Sequence, residues 1–308
     1  MTFSARTYVG ELYQITTFDG QVFDMTDYNT RAVLTTPGSM GLPPIEYITR
    51  KPYKQPGEVE LNYRLNVRDF TVLFATNGCS RTAYWRARTD LINFCRPNRG
   101  GPLTFTVIME DNTRRSIVAR AYSPTFPEQS VEEWHEWGFT EQLALHALNP
   151  TWYDSTINTL TIGGGELDEL AFDITFDDEH IFFEDISFFG QATITYTGTW
   201  YSQPIITING PFTSALIYHV ELNNFIQFLL AVPAGSSLVI DLESNRPSVT
   251  VNGIDRFGYL AANSDISQFR IEVDPLIPGG VNHIGFTLVD NLPTTSASLT
   301  YKTRYIGI

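Results

Sequence analysis

Short segments of alternating apolar and polar residues dominate this sequence, and they constrain its fold more than any other feature. Thr, Val, Ile, Phe and Tyr recur at every second position in runs that end at Gly, Pro, Asn or Asp. Such runs predict β-strands, because successive side chains of a strand point to opposite faces. The clearest runs lie at 61–67, 103–109, 192–197, 205–208, 237–242 and 298–305. The chain is therefore predicted to be mainly β.

Two turn sequences predict how neighbouring strands are joined. Asn252 and Gly253 follow an apolar run at 249–251, and both residues tolerate the positive φ angles of a type I′ hairpin turn. Residues 110–113 form a polar turn between 103–109 and 116–121, which predicts another hairpin. Strands spaced roughly 8 to 12 residues apart, with no helices between them, predict a jelly-roll β-sandwich in the second half.

One segment has helical periodicity, from Ser80 to Phe94. Its predicted inner stripe consists of Tyr84, Arg88, Leu91 and Cys95. Two further residues, Trp85 and Ile92, lie beside this stripe. A helix of this length holds Cys79 and Cys95 about 24 Å apart, too far for a disulfide. Both cysteines are predicted to be free, buried thiols.

Length and charge predict two domains. A chain of 308 residues is long enough for two cores. Residues 1–150 hold 15 Lys and Arg against 16 Asp and Glu, a net charge of −1, whereas 151–308 hold 5 against 18, a net charge of −13. Asn149 and Pro150 start a turn between the two parts. The predicted domains are 1–150 and 151–308.

The overall charge lacks the footprint of a nucleic-acid binder, although it leaves local basic patches open, and the apolar runs are too short for a membrane helix. A net charge of −14 repels nucleic-acid phosphates and anionic lipid alike. The longest apolar run, 228–232, is far shorter than the roughly 20 residues that span a bilayer. Residues 1–7 lack the pattern of a signal peptide, so synthesis in a cytoplasm is expected.

No segment has the pattern of a catalytic or metal site. The acidic stretch 173–185 lacks the Gly-centred spacing of a calcium loop and is interpreted as a solvated loop. In a strand, His135 and Glu136 would point to opposite faces. Gly163–Gly165 lack the Lys-Ser of a phosphate loop and predict a turn. No catalytic residue, no metal ligand and no cofactor is predicted, and an enzyme is unsupported.

Aromatic pairs provide the one candidate binding surface. Trp152 with Tyr153 and Trp200 with Tyr201 lie beside predicted strands, and exposed aromatic rings can stack on sugars. Most aromatic side chains of strands belong to the core. Sugar binding by Trp200, Tyr201 or Trp152 is therefore kept as a secondary hypothesis.

Turn and strand-entry motifs follow one another in a specific order in the second half. They are GTWYSQPII at 198–206, Asn-Gly at 209–210, Ile-Asp at 240–241, VTVNG at 249–253 and IPGGVN at 277–282. In this order the chain resembles the distal tail proteins of long, non-contractile-tailed bacteriophages. The first half is similar in layout: Arg68 opens the strand 69–74, and the helix and a hairpin follow. Gly280 is an extra residue in the last turn, and the chain has no room for an added carbohydrate-binding domain.

The resemblance implies a structural, non-enzymatic role. In the family, six N-terminal domains, each a β-barrel with a helix, close into a ring that continues the tail tube. A galectin-like C-terminal β-sandwich projects outward and holds tail-tip proteins or receptor-binding fibres. The resemblance thus implies a homo-hexameric baseplate hub, made in the host cytoplasm and located at the virion tail tip. Its implied partners are the tail tube protein, a tail-tip hub or tail-associated protein, and the fibres used for host attachment. The genome would pass through the lumen without sequence recognition.

Two alternatives remain open from the sequence. One is a two-domain carbohydrate-binding protein that attaches to a bacterial surface through aromatic residues around Trp200. The other is a glycoside hydrolase, which needs two carboxylates roughly 5 to 10 Å apart in one cleft. The sequence does not identify the residues of a ring interface.

Overall fold

The structure is a computed structural model that describes residues 11–26, 31–35, 37–54, 56–76, 80–123, 139–163, 187–243 and 246–308. The chain divides into two compact units. The first contains the described residues up to Ser155 together with Tyr305–Ile308, and the second is Thr156–Arg304. The sequence-based division follows Pro150 and assigns all of 151–308 to the second domain, whereas here the last four residues belong to the first unit.

The first unit is built from β-strands and one described α-helix. The strands are β1 (Leu12–Thr16), β2 (Val22–Asp24), β3 (Arg31–Thr35), β4 (Ile45–Arg50), β5 (Val59–Leu65), β6 (Arg68–Thr76), β7 (Leu103–Ile108), β8 (Arg114–Ser123), β9 (Phe139–Ala147) and the start of β10 (Trp152–Gly163). Helix α1 runs from Arg81 to Cys95. Neighbouring strands pair antiparallel in the order β3-β6-β9-β8-β7-β1-β2. The hairpin predicted at 103–121 is β7 and β8, with Leu103 opposite Ala119.

Alternating side chains of these strands form one core. Ile15, Val72, Phe105, Ile117 and Leu143 are all fully buried. The ring of Phe105 lies 5.1 Å from that of Phe70 and 6.2 Å from that of Trp152, measured between centroids. The core therefore centres on an aromatic cluster.

The predicted helix is confirmed, but its buried face differs in part from the predicted stripe. Leu91, Phe94 and Cys95 face the core, whereas Trp85 and Ile92 are about half exposed. Cys95 is free, and burial raises the pKa of its thiol to about 12. Cys79 lies outside the described residues.

Arg68 is the largest buried polar side chain of the first unit. Its guanidinium donates hydrogen bonds to four backbone carbonyls: Pro150 at 2.9 Å, Gly41 at 2.8 Å, Ile306 at 2.7 Å, and Ser39. Among the described residues no carboxylate forms an ion pair with it. Burial lowers the pKa of Arg68 to about 10, so the side chain remains charged at neutral pH.

The C-terminal residues are fixed in the first unit by side chains as well as by Arg68. The Tyr305 hydroxyl donates to Asp154 at 3.0 Å, and Arg115 pairs with the same carboxylate. The Arg115 guanidinium also lies 3.8 Å from the centre of the Tyr305 ring. The backbone N–H of Ile308 donates to the carbonyl of Met40 at 3.0 Å.

Strands β4 and β5 form a hairpin that pairs with no other described strand. The strand predicted from the alternation at 61–67 is present as β5, but both of its faces are exposed. Leu61 is 61% exposed and Tyr63 48%. The pattern sets which side chains share a face, but it does not determine whether another element covers that face.

The second unit is a β-sandwich. It contains the rest of β10 and the strands β11 (Ser187–Thr195), β12 (Ile205–Asn209), β13 (Ser214–His219), β14 (Asn224–Phe228), β15 (Ser237–Asp241), β16 (Ser248–Val251), β17 (Ile254–Asp255), β18 (Val281–Val289) and β19 (Ser296–Tyr305). One sheet has the order β17-β16-β15-β12-β19, and the other β11-β18-β13-β14. The Asn252-Gly253 turn joins β16 to β17 with both φ angles positive, as predicted. The predictions of a mainly β chain and of a sandwich in the second half are confirmed.

Side chains from both sheets form the sandwich core. Ile206 and Ile240 come from one sheet, and Ile217, Phe228 and Phe286 come from the other. All five side chains are fully buried. Strict alternation along β13 buries Ala215, Ile217 and His219 in turn, so a polar residue occupies the end of an apolar row.

Replacing Arg68 tests its role in holding the first unit together. We expect Arg68→Met to lower the free energy of unfolding by about 3 to 5 kcal/mol, because four backbone carbonyls lose the donor that the buried guanidinium provides. Arg68→Lys keeps the charge but has fewer donors, so its loss should be intermediate. The measurement is equilibrium unfolding in urea.

The matched control is Arg114→Met, since Arg114 is an exposed arginine of the same unit. This variant should lie within about 0.5 kcal/mol of the wild type. Equal stability of Arg68→Met and the wild type would contradict the role assigned to Arg68.

Candidate functional site

The three aromatic residues predicted to bind sugar have different environments. Trp152 is completely buried in the core of the first unit, so its ring presents no exposed face to a ligand. Trp200 and Tyr201 lie in the second unit and are partly exposed. Their ring centroids are 5.0 Å apart with an interplanar angle of 32°. Of the three, only Trp200 and Tyr201 are available at the surface.

An arginine completes this aromatic pair. The Arg270 guanidinium lies 4.6 Å from the centre of the Tyr201 ring, within cation–π distance. The backbone holds the two segments together, because Ser202 and Ile271 exchange hydrogen bonds of 3.0 and 2.7 Å. We call Trp200, Tyr201 and Arg270 the aromatic surface.

Beneath the aromatic surface lies a buried carboxylate. Glu272 is 1% exposed, and its Oε2 accepts a hydrogen bond from Arg270 Nε at 2.6 Å. Its Oε1 accepts from the backbone N–H of Val273 at 3.1 Å. These contacts orient Arg270 from below, since a buried carboxylate requires a charged partner.

Asn282 joins this carboxylate segment to the sandwich core. Its Oδ1 accepts from the Glu272 backbone N–H at 2.7 Å and from His219 Nε2 at 3.0 Å. Its Nδ2 donates to the carbonyls of Glu272 and Gly280, at 3.0 and 2.8 Å. These partners use both functional groups of the Asn282 amide, so its orientation is fixed and the Nε2 of His219 carries a proton.

Glu221 lies between two histidines. Its Oε2 is 3.3 Å from Nδ1 of His219 and accepts the backbone N–H of His283 at 2.9 Å. Its Oε1 pairs with Nδ1 of His283. The network that results, here called the Asn282 network, consists of Arg270, Glu272, Asn282, His219, Glu221 and His283.

Burial controls the protonation of this network. The pKa of His219 is lowered, mainly because burial disfavours the charged ring; the Asn282 hydrogen bond and the Glu221 and Glu272 charges offset only part of this effect. For Glu221, burial raises the pKa, but the hydrogen bonds from His283 outweigh it and leave the pKa lowered. At neutral pH the network therefore holds a neutral His219 beside an ionised Glu221.

The turn before Asn282 explains the extra glycine noted in the sequence. Gly280 has φ of +64°, and a Cβ at this position would lie 2.3 Å from the carbonyl oxygen of Tyr196. The Gly280 carbonyl accepts from the Tyr196 backbone N–H at 2.8 Å as well as from Asn282. Glycine is required here by both the backbone conformation and the close approach.

The network supplies hydrogen bonds rather than an evident reactive group. Among the residues that the structure describes, no three His, Cys, Asp or Glu side chains are arranged to hold a metal ion. No described helix is long and apolar enough to cross a membrane. The predicted acidic loop at 173–185, the His135–Glu136 segment and the turn after Gly163 lie outside the described residues.

Sequence reasoning missed the Asn282 network because its members are spread over more than 60 residues. The IPGGVN motif predicts a turn, but Asn282 also bonds the side chain of His219 and the backbone of Glu272, which belong to two other segments. The polar residue at the end of the apolar alternation in β13 is the one local signal for a buried histidine. No local pattern pairs it with Asn282.

Lowered proton affinity of His219 makes stability depend on pH. The unfolded chain binds a proton at His219 near pH 6.5, whereas the folded protein does so only at lower pH. Stability from this group is thus present above pH 6.5 and is lost as the pH falls below it. Glu221 acts in a lower window, because its lowered pKa adds stability that is lost only as the pH falls below about 4.5.

We expect His219→Gln to flatten the pH dependence of the free energy of unfolding below pH 6.5. The slope of the free energy of unfolding against pH should fall by an amount equivalent to at most one bound proton. Urea unfolding at several pH values measures this slope. A His219→Gln variant with the wild-type slope would contradict the lowered pKa of His219.

Comparison with known proteins identifies the fold. Neither a protein-family model nor a curated protein matches the sequence. Among solved structures, the Dit protein (gp 19.1) of phage SPP1, described as a paradigm of the hub adsorption apparatus in phages that infect Gram-positive bacteria, aligns with a TM-score of 0.59 at 15% identity. The alignment covers 95% of this chain and 98% of that one.

Chains of the phage P2 baseplate in its activated conformation are similar as well. The form with Ca aligns with a TM-score of 0.54 at 13% identity, covering 97% of this chain and 99% of that chain. The form with Sr gives 0.50 at 13% identity, covering 94% and 97%. The resemblance to phage distal tail proteins is thus confirmed for the fold, and the chain has the fold of SPP1 Dit over nearly its whole length.

Proposed function

We propose that this protein is a structural component of a phage tail tip, a hexameric hub that joins the tail tube to the tail-tip and receptor-binding proteins. The observation that carries the proposal is the fold shared with SPP1 Dit, a hub adsorption protein, over 95% of the chain. Both units take part in this likeness. The proposal therefore covers a two-domain protein rather than one module.

The charge distribution supports a ring built from the first unit. Six copies of a strongly charged domain would repel one another across a closed interface, but residues 1–150 carry a net charge of only −1. The acidic second part, with a net charge of −13, suits a solvated position away from the ring. In this proposal the lumen conducts the genome without reading its sequence.

We infer a non-enzymatic role, and the hydrogen bonds of Glu272 and Glu221 agree with it. Glu272 binds Arg270 and a backbone N–H, and Glu221 binds His283 through its ring and its backbone. Carboxylates bonded in this way stabilise the fold of the second unit. We assign the protein to the virion tail tip, after synthesis in the host cytoplasm.

A ring predicts a specific mass. Six chains of 34.8 kDa give 6 × 34.8 = 208.8 kDa. We expect light scattering of the purified protein, alone or with the tail tube protein of the same phage, to give particles built on this mass, and images of the same peak to show a central hole. A monomer under both conditions would contradict the proposal.

A second candidate function is attachment to a bacterial surface polysaccharide through the aromatic surface. The observation that favours it is the partly exposed Trp200–Tyr201 pair with Arg270 stacked on Tyr201. Aromatic faces stack on sugar rings, and a guanidinium binds anionic groups on them. This function is compatible with a hub, because it needs only the second unit.

Substitution of Tyr201 tests this candidate. We expect Tyr201→Ala to reduce binding to purified cell-wall polysaccharide of the host at least tenfold, measured by co-sedimentation. The control is Tyr259→Ala, since Tyr259 is exposed and also lies near an arginine, Arg256, at 5.8 Å. Equal binding by the Tyr201 variant and the wild type would exclude the aromatic surface as a sugar site.

A further inference from the structure

The terminal nitrogens of Arg270 have no hydrogen-bond partner among the residues that the structure describes. The side chain of Arg270 is 35% exposed, and its Nε donates to Glu272 at 2.6 Å. Neither Nη1 nor Nη2 makes a hydrogen bond within the described part of the chain. Both nitrogens carry only donor groups, so they can bind an acceptor supplied by a ligand.

Two contacts fix the orientation of this guanidinium. Glu272 is almost completely buried, and its other oxygen is already bonded to the backbone N–H of Val273, so the carboxylate holds the Nε edge of Arg270 in one place. The guanidinium lies over the Tyr201 ring, 4.6 Å from its centre. With the Nε edge and one face occupied, the pair of terminal nitrogens is the part left for a ligand. An arginine that is already oriented loses less rotamer freedom on binding than a mobile one.

Basic residues of the acidic second part are concentrated around residues 200–202. The part 151–308 contains five of them: Arg246, Arg256, Arg270, Lys302 and Arg304. Arg270 immediately precedes the residue that exchanges backbone hydrogen bonds with Ser202. Arg304 pairs with Trp200 in an antiparallel bridge, and the Lys302 carbonyl accepts the Ser202 hydroxyl at 2.7 Å. Three of the five basic residues therefore flank the aromatic pair.

The net charge of residues 151–308 does not prevent an anion from binding at this place. Three carboxylates accompany the three basic residues: Glu272, Glu243 and Asp241. The local charge is therefore balanced, in contrast to the net charge of −13 for 151–308 as a whole. At physiological salt, charges more than about 8 Å away are largely screened. The affinity for an anion thus depends mainly on its direct contact with Arg270.

The shape of the Arg270 edge and the rings beside it indicate the class of ligand. Two adjacent terminal nitrogens of a guanidinium match the two oxygens of a carboxylate or a phosphate. The rings of Trp200 and Tyr201, 5.0 Å apart and both partly exposed, provide an apolar surface next to this edge. A small inorganic anion has no apolar face for these rings, whereas a sugar ring has one. The arrangement fits a ligand that combines a sugar ring with an anionic group.

We propose that the aromatic surface binds an anionic saccharide. The sugar ring packs on the exposed part of Trp200 and Tyr201, and a carboxylate or phosphate on that sugar accepts hydrogen bonds from Nη1 and Nη2 of Arg270. This inference rests on the second candidate function, attachment to a bacterial surface polysaccharide, and names its substrate class. A neutral saccharide would leave the charge-assisted hydrogen bonds unmade.

Chemical treatment of the polysaccharide tests the anionic group. The probe is purified cell-wall polysaccharide of the host, either untreated, treated with hydrofluoric acid to remove phosphate, or treated with carbodiimide and borohydride to reduce carboxylates to alcohols. At least one treatment should weaken binding of the full-length protein about tenfold or more in co-sedimentation. The treatment that does so identifies phosphate or carboxylate as the group recognised. Unchanged binding after both treatments would overturn the inference.

Substitutions of Arg270 test the protein side of the contact. Arg270→Gln should weaken binding to the untreated polysaccharide about tenfold or more, because the charged donors are lost. Arg270→Lys keeps the charge without the planar pair of donors, so its loss should be intermediate. The double variant Arg270→Gln with Glu272→Gln removes both members of the ion pair and leaves no uncompensated buried charge, so it should be folded and should bind as weakly as Arg270→Gln. The thermal unfolding midpoint establishes that each variant is folded.

The matched control is Arg256→Gln. Arg256 also belongs to the second unit and lies 5.8 Å from the centre of a tyrosine ring, that of Tyr259, and its replacement changes the net charge by the same amount. This variant should bind like the wild type, and an equal loss in Arg256→Gln and Arg270→Gln would overturn the inference. Binding that depends on Tyr201 but not on Arg270 would overturn only the anionic contact. Absence of any binding that depends on Tyr201 would overturn the second candidate function as well.

Discussion

The buried guanidinium of Arg68 is the interaction on which the first unit depends. Its four carbonyl partners come from the loop at 39–41, from Pro150 and from Ile306, segments that lie far apart in sequence. The regular hydrogen bonds of a helix or a β-sheet could not satisfy these carbonyls together, whereas the planar guanidinium of an arginine reaches all of them. The C-terminal residues belong to the first unit in part because they supply one of these acceptors.

The second unit uses an amide for a comparable purpose. Asn282 satisfies a backbone N–H, two carbonyls and a histidine ring inside the sandwich. Its partners link the turn at Gly280, the Glu272 segment and the end of β13. Buried polar networks of this type are stable only when every member is paired. The sandwich is thereby fixed from within, while Trp200, Tyr201 and Arg270 stay partly exposed at its surface.

Local patterns predicted much of this fold, and long-range contacts account for what they missed. The Asn252-Gly253 turn, the 103–121 hairpin and the helix ending at Cys95 follow from turn chemistry and periodicity. Alternation in β5 could not show that Tyr63 is exposed, because coverage depends on elements elsewhere. The sequence allowed an exposed, sugar-binding ring at Trp152, but the core around Phe70 and Phe105 encloses this side chain. The hydrogen bonds of Arg68 and Asn282 join distant segments and leave no local signature.

The proposed function requires that the first unit closes into a six-membered ring at a phage tail tip. Electron cryomicroscopy of the assembled full-length protein tests this most directly. The proposed ring predicts a particle with sixfold symmetry in which six first units surround an open channel. A particle with a different number of copies, or a channel surrounded by the second units, would contradict it.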